Sequence, residues 1–242
     1  MLLTPGKKKV DCHNIDVNGT SIEPQENVTY LGINIDKDLT FEKETNKVLQ
    51  RMAMGIQTVN NIKRMTSKCV RKVLFESLIM SHFHYSAPFF VGLTEKLKNS
   101  LQQQQNWALK VCFSRSKSDH LDELMNTNNV LNIEALVKKK SLCIMYKNLQ
   151  EPNTKQSIPT FDFSMNSRTE NLSSRIKSNR KTFDNSFAHQ VLPSWNALDR
   201  NVKIVKRYNR FKAELKKFLF KSWQKRPPDR IVRKIWADFK VD

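Results

Sequence analysis

Residues 41–65 read FEKETNKVLQRMAMGIQTVNNIKRM, and the positions of their apolar side chains predict the fold class. These side chains recur at helical spacing, at Phe41, Val48, Met52, Ile56, Val59 and Ile62. This period is typical of an amphipathic α-helix, which buries one face and leaves its basic residues on the others. Thr40 is predicted to cap the start of this helix, where Glu42 and Glu44 suit the positive end of the helix dipole.

The same helical spacing continues beyond this first helix. A second helix is predicted after Ser67, and a third after Thr94. A short helix near 121–125 and a longer helix over 133–149 follow them. Residues 39–150 are therefore predicted to form one helical domain.

The two ends of the chain differ from this helical block. Within residues 1–38, Asn18-Gly19 is a strong hairpin-turn signal, and residues 28–35 alternate like a β-strand, so a small antiparallel sheet is predicted. Residues 151–182 have no clear period and are predicted to be a linker or an extended loop. Residues 183–242 are predicted to form a basic C-terminal helical region.

Basic side chains far outnumber acidic side chains in this protein. Its 242 residues include 42 Lys and Arg against 23 Asp and Glu, a formal net charge of +19. Residues 168–242 contain 20 of the basic and 7 of the acidic side chains, so about two-thirds of the excess lies in the last third of the chain. An excess of this size repels itself and indicates an anionic partner, which is RNA, DNA, an RNA–DNA hybrid, a membrane face or an acidic protein.

The most basic segment is a helix predicted over residues 205–221. Glu214 is the only acidic residue from 203 to 225, so the i,i+4 salt pairs that usually balance a surface helix are missing. We therefore expect this helix and the preceding loop to neutralise nucleic-acid phosphates. The predicted contacts are Lys206, Arg207, Arg210, Lys212, Lys216 and Lys217 in the helix and Arg175, Lys177, Arg180 and Lys181 in the loop.

Several classes of protein are disfavoured by the sequence. No stretch approaches 18 consecutive apolar residues, and the first residues are too polar for a signal peptide, so neither a membrane span nor secretion is expected. The cysteines Cys12, Cys69, Cys112 and Cys143 form no Cys-x-x-Cys pair and are predicted to be reduced core thiols of an intracellular protein, in the nucleus or the cytoplasm. His82 and His84 are two residues apart, which places them on different faces of a helix, so no metal site is predicted.

Five segments, in order along the chain, resemble part of one known family. They are Val17 to Glu23 with Val28 to Asp36, Leu39-Thr40-Phe41, His84-Tyr85-Ser86-Ala87-Pro88, Leu101 to Leu109, and Phe183 to Leu198 with its Pro193-x-Trp195-Asn196-x-Leu198 motif. Together they resemble the region that follows the catalytic Asp-Asp motif in reverse transcriptases of non-LTR retrotransposons, of the jockey and chicken-repeat-like lineages. The resemblance covers residues 15–221, although Phe89-Phe90 stands where the family usually has Val-Trp.

The resemblance implies a mainly α-helical, thumb-like bundle with a small N-terminal β-hairpin remnant of the palm and a basic C-terminal helix. It implies that Tyr30, Leu31 and Gly32 lie near the primer and that the chain binds a template–primer duplex. The chain has no Tyr/Phe-x-Asp-Asp motif, so no catalytic residue and no cofactor are predicted. The Mg²⁺ ions of the polymerase reaction belong to the palm, which with the fingers is a further candidate partner.

Other interpretations of the same residues stay open. The chain is alternatively a stand-alone helical RNA- or DNA-binding protein derived from a retroelement, or a basic module that binds a protein or a membrane surface. Trp195, Trp223 and Trp236 are candidates for stacking on bases or for packing in the core. Gly32 either lets the backbone approach a ligand or relieves crowding in an ordinary strand.

Overall fold

The computed structural model of the protein describes residues 14–23, 25–113, 121–150, 163–174 and 187–224. Within these ranges the fold is mainly α-helical and includes small antiparallel two-stranded sheets near the N-terminus. This confirms the predicted fold class.

The helices are α1 (Glu42–Ile62), α2 (Lys68–Leu74), α3 (Met80–Ser86), α4 (Glu95–Phe113), α5 (Leu121–Asn128), α6 (Ile133–Gln150), α7 (Phe187–Asn196), α8 (Arg200–Lys203) and α9 (Tyr208–Gln224). A π-helical turn (Phe75–Ile79) joins α2 to α3, and a 3-10 helix (Ala87–Gly92) follows α3. In the described ranges, three antiparallel hairpins pair β1 (Ile15–Val17) with β2 (Thr20–Ile22), β3 (Asn27–Tyr30) with β4 (Ile33–Asp36), and β5 (Phe163–Asn166) with β6 (Asn171–Ser174).

Residues 28–35 form a hairpin, so the prediction of one continuous strand was wrong. The chain reverses at Leu31 and Gly32, whose φ angles are 47° and 79°, and Tyr30 pairs with Ile33. A two-residue turn with positive φ at both positions matches the twist of a hairpin, and Asn18-Gly19 makes the same turn as predicted. Leu31 is disfavoured there because its side chain crowds the left-handed backbone, so tertiary contacts are needed to hold it.

The start of α1 differs from the prediction that Thr40 caps it. The residue at the cap position is Phe41, whose side chain accepts no capping hydrogen bond, while the hydroxyl of Thr40 accepts the Glu42 N–H at 3.4 Å. The carboxylate of Asp36 instead accepts the N–H groups of Thr40 and Phe41, both at 2.8 Å, and the Thr40 hydroxyl at 2.9 Å. Burial alone raises the pKa of Asp36, but these hydrogen bonds outweigh it and hold the pKa below its ordinary value.

One continuous core runs through the described helices. α1 packs on α4, α3 and the π-helical turn, while α6 packs on α4, the 3-10 helix, α7 and α9. The largest fully buried side chains include Phe75, Phe83, Phe90 and Phe211. The hairpin β5–β6 joins this core through Leu172, so part of the segment predicted to be a linker or loop has regular structure.

The cysteines divide into two environments. Cys112 and Cys143 are buried, and burial raises the pKa of the Cys112 thiol to about 12 and also raises that of Cys143. Both therefore stay protonated near neutral pH. Cys69 is exposed at the start of α2, so its prediction as a core thiol was wrong, and Cys12 lies outside the described residues.

Gly55 marks a close approach between α1 and the π-helical turn. A Cβ atom at this position would lie 3.0 Å from the Leu78 carbonyl oxygen and 3.1 Å from Cγ1 of Ile79. We expect Gly55→Ala to lower the free energy of unfolding by about 1–2 kcal/mol, because the steric cost exceeds the gain in helix propensity of about 1 kcal/mol. Urea unfolding measures this change. Gln57→Ala, on the exposed face, is the control, and a Gly55→Ala chain as stable as that control would contradict the prediction.

Candidate nucleic-acid interface

The predicted basic residues of the C-terminal helix lie on different faces of α9. Phe211, Leu215 and Leu219 face the core and are buried. Lys206 and Arg207 precede the helix and are exposed, as is Arg210. Lys217 is also exposed, but its ammonium group pairs with Glu214 at 3.0 Å. Lys212 and Lys216 are the members of this set with resolved contacts to neighbouring aromatic rings.

Aromatic contacts fix α9 against α6. The rings of Tyr146 and Phe211 are stacked, with centroids 4.1 Å apart and planes 18° apart. The Tyr146 hydroxyl donates a hydrogen bond to the carbonyl oxygen of Val205 at 2.5 Å, just before α9 begins. These contacts place the basic side chains of α6 beside those of α9.

Tyr208 lies between two of these basic side chains. The Nζ atoms of Lys147 and Lys212 are 4.8 Å and 5.4 Å from the centroid of its ring. The negative face of an aromatic ring attracts ammonium groups and partly compensates their mutual repulsion. The Tyr208 ring therefore has one cation from α6 and one from α9 beside it.

Further lysines crowd together along the same helices. Burial lowers the pKa of Lys139, and the ammonium groups of Lys216, Lys212 and Lys140 lower it further, although the Cys143 thiol opposes them. Burial also lowers the pKa of Lys216, where the nearby Glu76 carboxylate opposes the shift and Lys72 adds to it. We call this group the cationic face; its members are Lys72, Lys139, Lys140, Lys147, Lys212 and Lys216.

The cationic face has a surplus of positive charge. Among the described residues, no carboxylate lies within 4.0 Å of any of its six ammonium groups. Glu76, the acidic neighbour of Lys216, is already hydrogen-bonded at 3.4 Å to His84. Clustered cations without partners are energetically unfavourable alone and favour the binding of an anion.

Only part of the cationic face was predicted from the sequence. Lys212 and Lys216 belong to the predicted set, whereas Lys72, Lys139, Lys140 and Lys147 do not. The run Lys138-Lys139-Lys140 was a visible signal, but the sequence does not say that α6 lies beside α9. Lys138 itself pairs with Glu134 at 2.7 Å and lies outside the group. The predicted loop contacts Arg175, Lys177, Arg180 and Lys181 lie outside the described residues.

The turn at Tyr30, Leu31 and Gly32 is fixed by α1 and α3. The Tyr85 hydroxyl donates to the Leu31 carbonyl oxygen at 2.5 Å, and the Lys47 ammonium group donates to the Gly32 carbonyl oxygen. The side chains of Tyr30 and Leu31 are 64% and 74% exposed. The turn is thus held through its backbone while its side chains face solvent.

Glu44 connects the hairpin β3–β4 to the helices. The residue is only 2% exposed, and its carboxylate accepts the backbone N–H of Asn34 at 2.9 Å and the side-chain amide of Asn34 at 3.2 Å. Its other oxygen accepts the Ser86 hydroxyl at 2.9 Å, and Lys47 lies 3.4 Å away. Protein groups therefore donate hydrogen bonds to both oxygens of the Glu44 carboxylate, and the residue has a structural role.

The Pro193-x-Trp195-Asn196-x-Leu198 motif holds the hairpin β5–β6. The side-chain amide of Asn196 donates to the Leu172 carbonyl oxygen at 2.9 Å and accepts the Leu172 N–H at 2.8 Å. The Trp195 indole N–H donates to the Glu170 carbonyl oxygen at 3.1 Å, and its ring is 3% exposed. Trp195 is therefore a core residue. The Trp223 side chain and Trp236 lie outside the described residues.

Lys203 also helps to hold the hairpin β5–β6 in place. Its ammonium group is largely buried and donates to the Asn171 side-chain oxygen at 2.6 Å and to the Asn196 carbonyl oxygen at 3.1 Å. Burial lowers the pKa of Lys203, while Glu170 and Asp199 oppose the shift. Because its donors are used inside the protein, we do not include Lys203 in the cationic face.

Comparison of the chain with protein-family models, curated proteins and solved structures gives no match. Within the described ranges, no three His, Cys, Asp or Glu side chains cluster as a metal site. The described helices are also too short or too polar to cross a bilayer. The functional proposal therefore rests on the geometry above and on the sequence motifs.

Proposed function

We propose that the chain is a nucleic-acid-binding fragment of a reverse transcriptase of the non-LTR retrotransposon type, and that it holds a template–primer duplex. The observation that carries the proposal is the cationic face, where unpaired lysines of α2, α6 and α9 meet. Lysine ammonium groups are point charges that neutralise phosphates without reading base sequence. The proposed contact is therefore with the nucleic-acid backbone, and the chain supplies no catalytic residue and no cofactor.

The spacing of the lysines supports a backbone contact. Lys212 and Lys216 are one helical turn apart, which is a rise of about 6 Å along α9. On the neighbouring helix α6, Lys140 and Lys147 lie two turns apart on one side, and Lys139 lies on the side next to Lys212 and Lys216. Cations spread along two neighbouring helices suit a ligand that carries many regularly spaced negative charges.

The membrane-surface alternative is less well supported. A helix that lies on a bilayer must expose its apolar face to the lipid. In α9 that face is formed by Phe211, Leu215 and Leu219, which are buried against the core. The basic residues of α9 thus remain available to an anion, whereas its main apolar stripe is not available to lipid.

Salt-dependent binding of an RNA–DNA hybrid duplex tests the proposal. We expect wild-type affinity to fall steeply with salt. Changing Lys147, Lys212 and Lys216 to Gln should reduce the slope of log K against log salt by about 2–3, since each lost phosphate contact removes about 0.9. The variant should also bind at least about tenfold more weakly at low salt.

A matched variant separates a local contact from net charge. Changing Lys43, Lys63 and Lys96 to Gln removes the same charge from sites outside the cationic face. We expect this control to retain most of the wild-type affinity. Equal losses in both variants would remove the case for the cationic face, and a folded wild-type chain without binding at low salt would contradict the proposal as a whole. Anionic vesicles that bind more tightly than the duplex would support the membrane alternative.

A further inference from the structure

A pocket of about 320 Å³ lies between α4, α6, α7 and the 3-10 helix. Its walls are mainly apolar and include Phe90, Leu93, Leu101, Leu142 and Val191. None of the six lysines of the cationic face is among its described lining residues. The pocket is therefore a separate feature, and what it binds does not depend on the proposed nucleic-acid function.

One buried polar group lines this apolar pocket. Ser141 is 2% exposed, and in the described part of the chain its hydroxyl has no hydrogen-bond partner. A serine within a helix commonly donates to the carbonyl four residues earlier, so an unpartnered hydroxyl on α6 is unusual. An unsatisfied buried hydroxyl is costly, and the cost disappears when a water or a ligand supplies a partner.

We propose that this pocket binds a small, uncharged aromatic molecule whose single hydrogen-bonding group pairs with the Ser141 hydroxyl once that buried hydroxyl turns toward the pocket. The volume is near the lower end of the range for ligand pockets, about 300–1,000 Å³, which suits one or two rings. The buried ring of Phe90 provides an aromatic neighbour for edge-to-face or offset contact.

The rim of the pocket favours an uncharged ligand. Lys138 and Glu134 both line it, and their side chains pair with each other at 2.7 Å. Lys98, also at the rim, pairs with Glu95 at 2.9 Å. Because both ammonium groups already have carboxylate partners, neither attracts an anionic ligand strongly. Among the described lining residues, Ser141 is the one whose buried hydroxyl has no hydrogen-bond partner.

Titration of the full chain with phenol and with toluene, followed by ligand-observed NMR, tests the proposal. The two probes have similar size, but only phenol carries a hydrogen-bonding group. We expect Ser141→Ala to weaken phenol binding about three- to tenfold, which corresponds to the loss of one hydrogen bond, and to leave toluene binding unchanged or stronger. Equal changes for both probes, or no saturable binding of either to the wild-type chain, would overturn the proposal.

Variants at two other positions locate the binding. Val137 is half-buried at the rim, and Val137→Phe should fill the pocket and abolish the binding of both probes. If that variant fails to fold, Ser194→Phe fills the pocket from the opposite wall and should have the same effect. Ser100→Ala is the matched control, because its hydroxyl donates to the Lys96 carbonyl oxygen at 3.1 Å and does not line the pocket. Wild-type binding by a folded pocket-filling variant would overturn the proposed location.

Thermal unfolding without any probe gives an independent readout. Removal of an unpartnered hydroxyl leaves no group unsatisfied, so the Tm of Ser141→Ala should equal or exceed that of the wild-type chain. A clear fall in Tm, beyond any change in Ser100→Ala, would show that the hydroxyl has a partner in the free protein. That result would overturn the role assigned to Ser141.

Discussion

Trp195→Ala is expected to lower the free energy of unfolding by about 3–5 kcal/mol, which is a large part of the stability of an ordinary domain. The ring is 3% exposed, and its centroid lies 6.2 Å from that of Phe211. Alanine leaves a cavity between α7 and α9, and it also leaves the Glu170 carbonyl oxygen without the indole N–H. Urea unfolding monitored by circular dichroism measures the loss.

Two further substitutions separate the contributions of the ring and the N–H group. Trp195→Phe retains most of the packing but not the hydrogen bond, so we expect a loss of about 1–2 kcal/mol. Trp107→Ala, where the side chain is 50% exposed, should cost no more than about 1 kcal/mol. If Trp195→Ala left the stability unchanged but weakened nucleic-acid binding, Trp195 would be a base-stacking residue after all.

Glu44→Ala should lower the free energy of unfolding by about 3 kcal/mol. The substitution removes the acceptor for the Asn34 and Ser86 donors and leaves Lys47 without its nearby carboxylate. We expect the hairpin β3–β4 to loosen first, because Glu44 holds its strand β4 on α1, which leaves Lys47 and Tyr85 to hold only the turn. Hydrogen exchange of the amides of β3 and β4, together with global unfolding, measures both effects.

A pair of variants tests whether the carboxylate itself is needed. Glu44→Gln retains one acceptor but turns an amide group toward existing donors, so an intermediate loss of about 1–2 kcal/mol is expected. Glu42→Ala removes an exposed acid from the same helical turn and should cost about 0.5 kcal/mol. Similar losses for Glu42→Ala and Glu44→Ala would show that the helix dipole, rather than the buried network, accounts for the role of Glu44.

The sequence predicted the two long helices α1 and α6 to within about three residues at each end; the apolar periodicity is strong in α1, whereas the apolar residues of α6 are spread around the helix. The helix predicted over 133–149 is α6, Ile133–Gln150, and the one predicted from residue 41 is α1, Glu42–Ile62. The hairpin at Leu31-Gly32 was not predicted, because leucine disfavours positive φ and its stabilising donors, Tyr85 and Lys47, are distant in sequence.

The cationic face was predicted only on its C-terminal side. Because Glu214 is the only acidic residue from 203 to 225, the excess of basic residues in α9 was visible in the sequence. The contribution of α6 depends on the stacking of Tyr146 on Phe211, which joins residues far apart in the chain and leaves no periodic signal. The hairpin β5–β6 was missed for a similar reason, since Asn196 holds its short polar strands from another element.

The π-helical turn at Phe75–Ile79 changes the direction in which the side chains of α3 point relative to those of α2. A π-helical turn contains one residue more than an α-helical turn, and one residue corresponds to a rotation of about 100° about the helix axis. Before this turn, Lys72 belongs to the cationic face; after it, Tyr85 donates a hydrogen bond to Leu31 of the hairpin β3–β4, and Ser86 donates one to Glu44 of α1. If the same residues formed a regular α-helix instead of the π turn, α3 would be rotated by about 100° away from these partners. The extra residue thus allows one stretch of helix to serve two different surfaces.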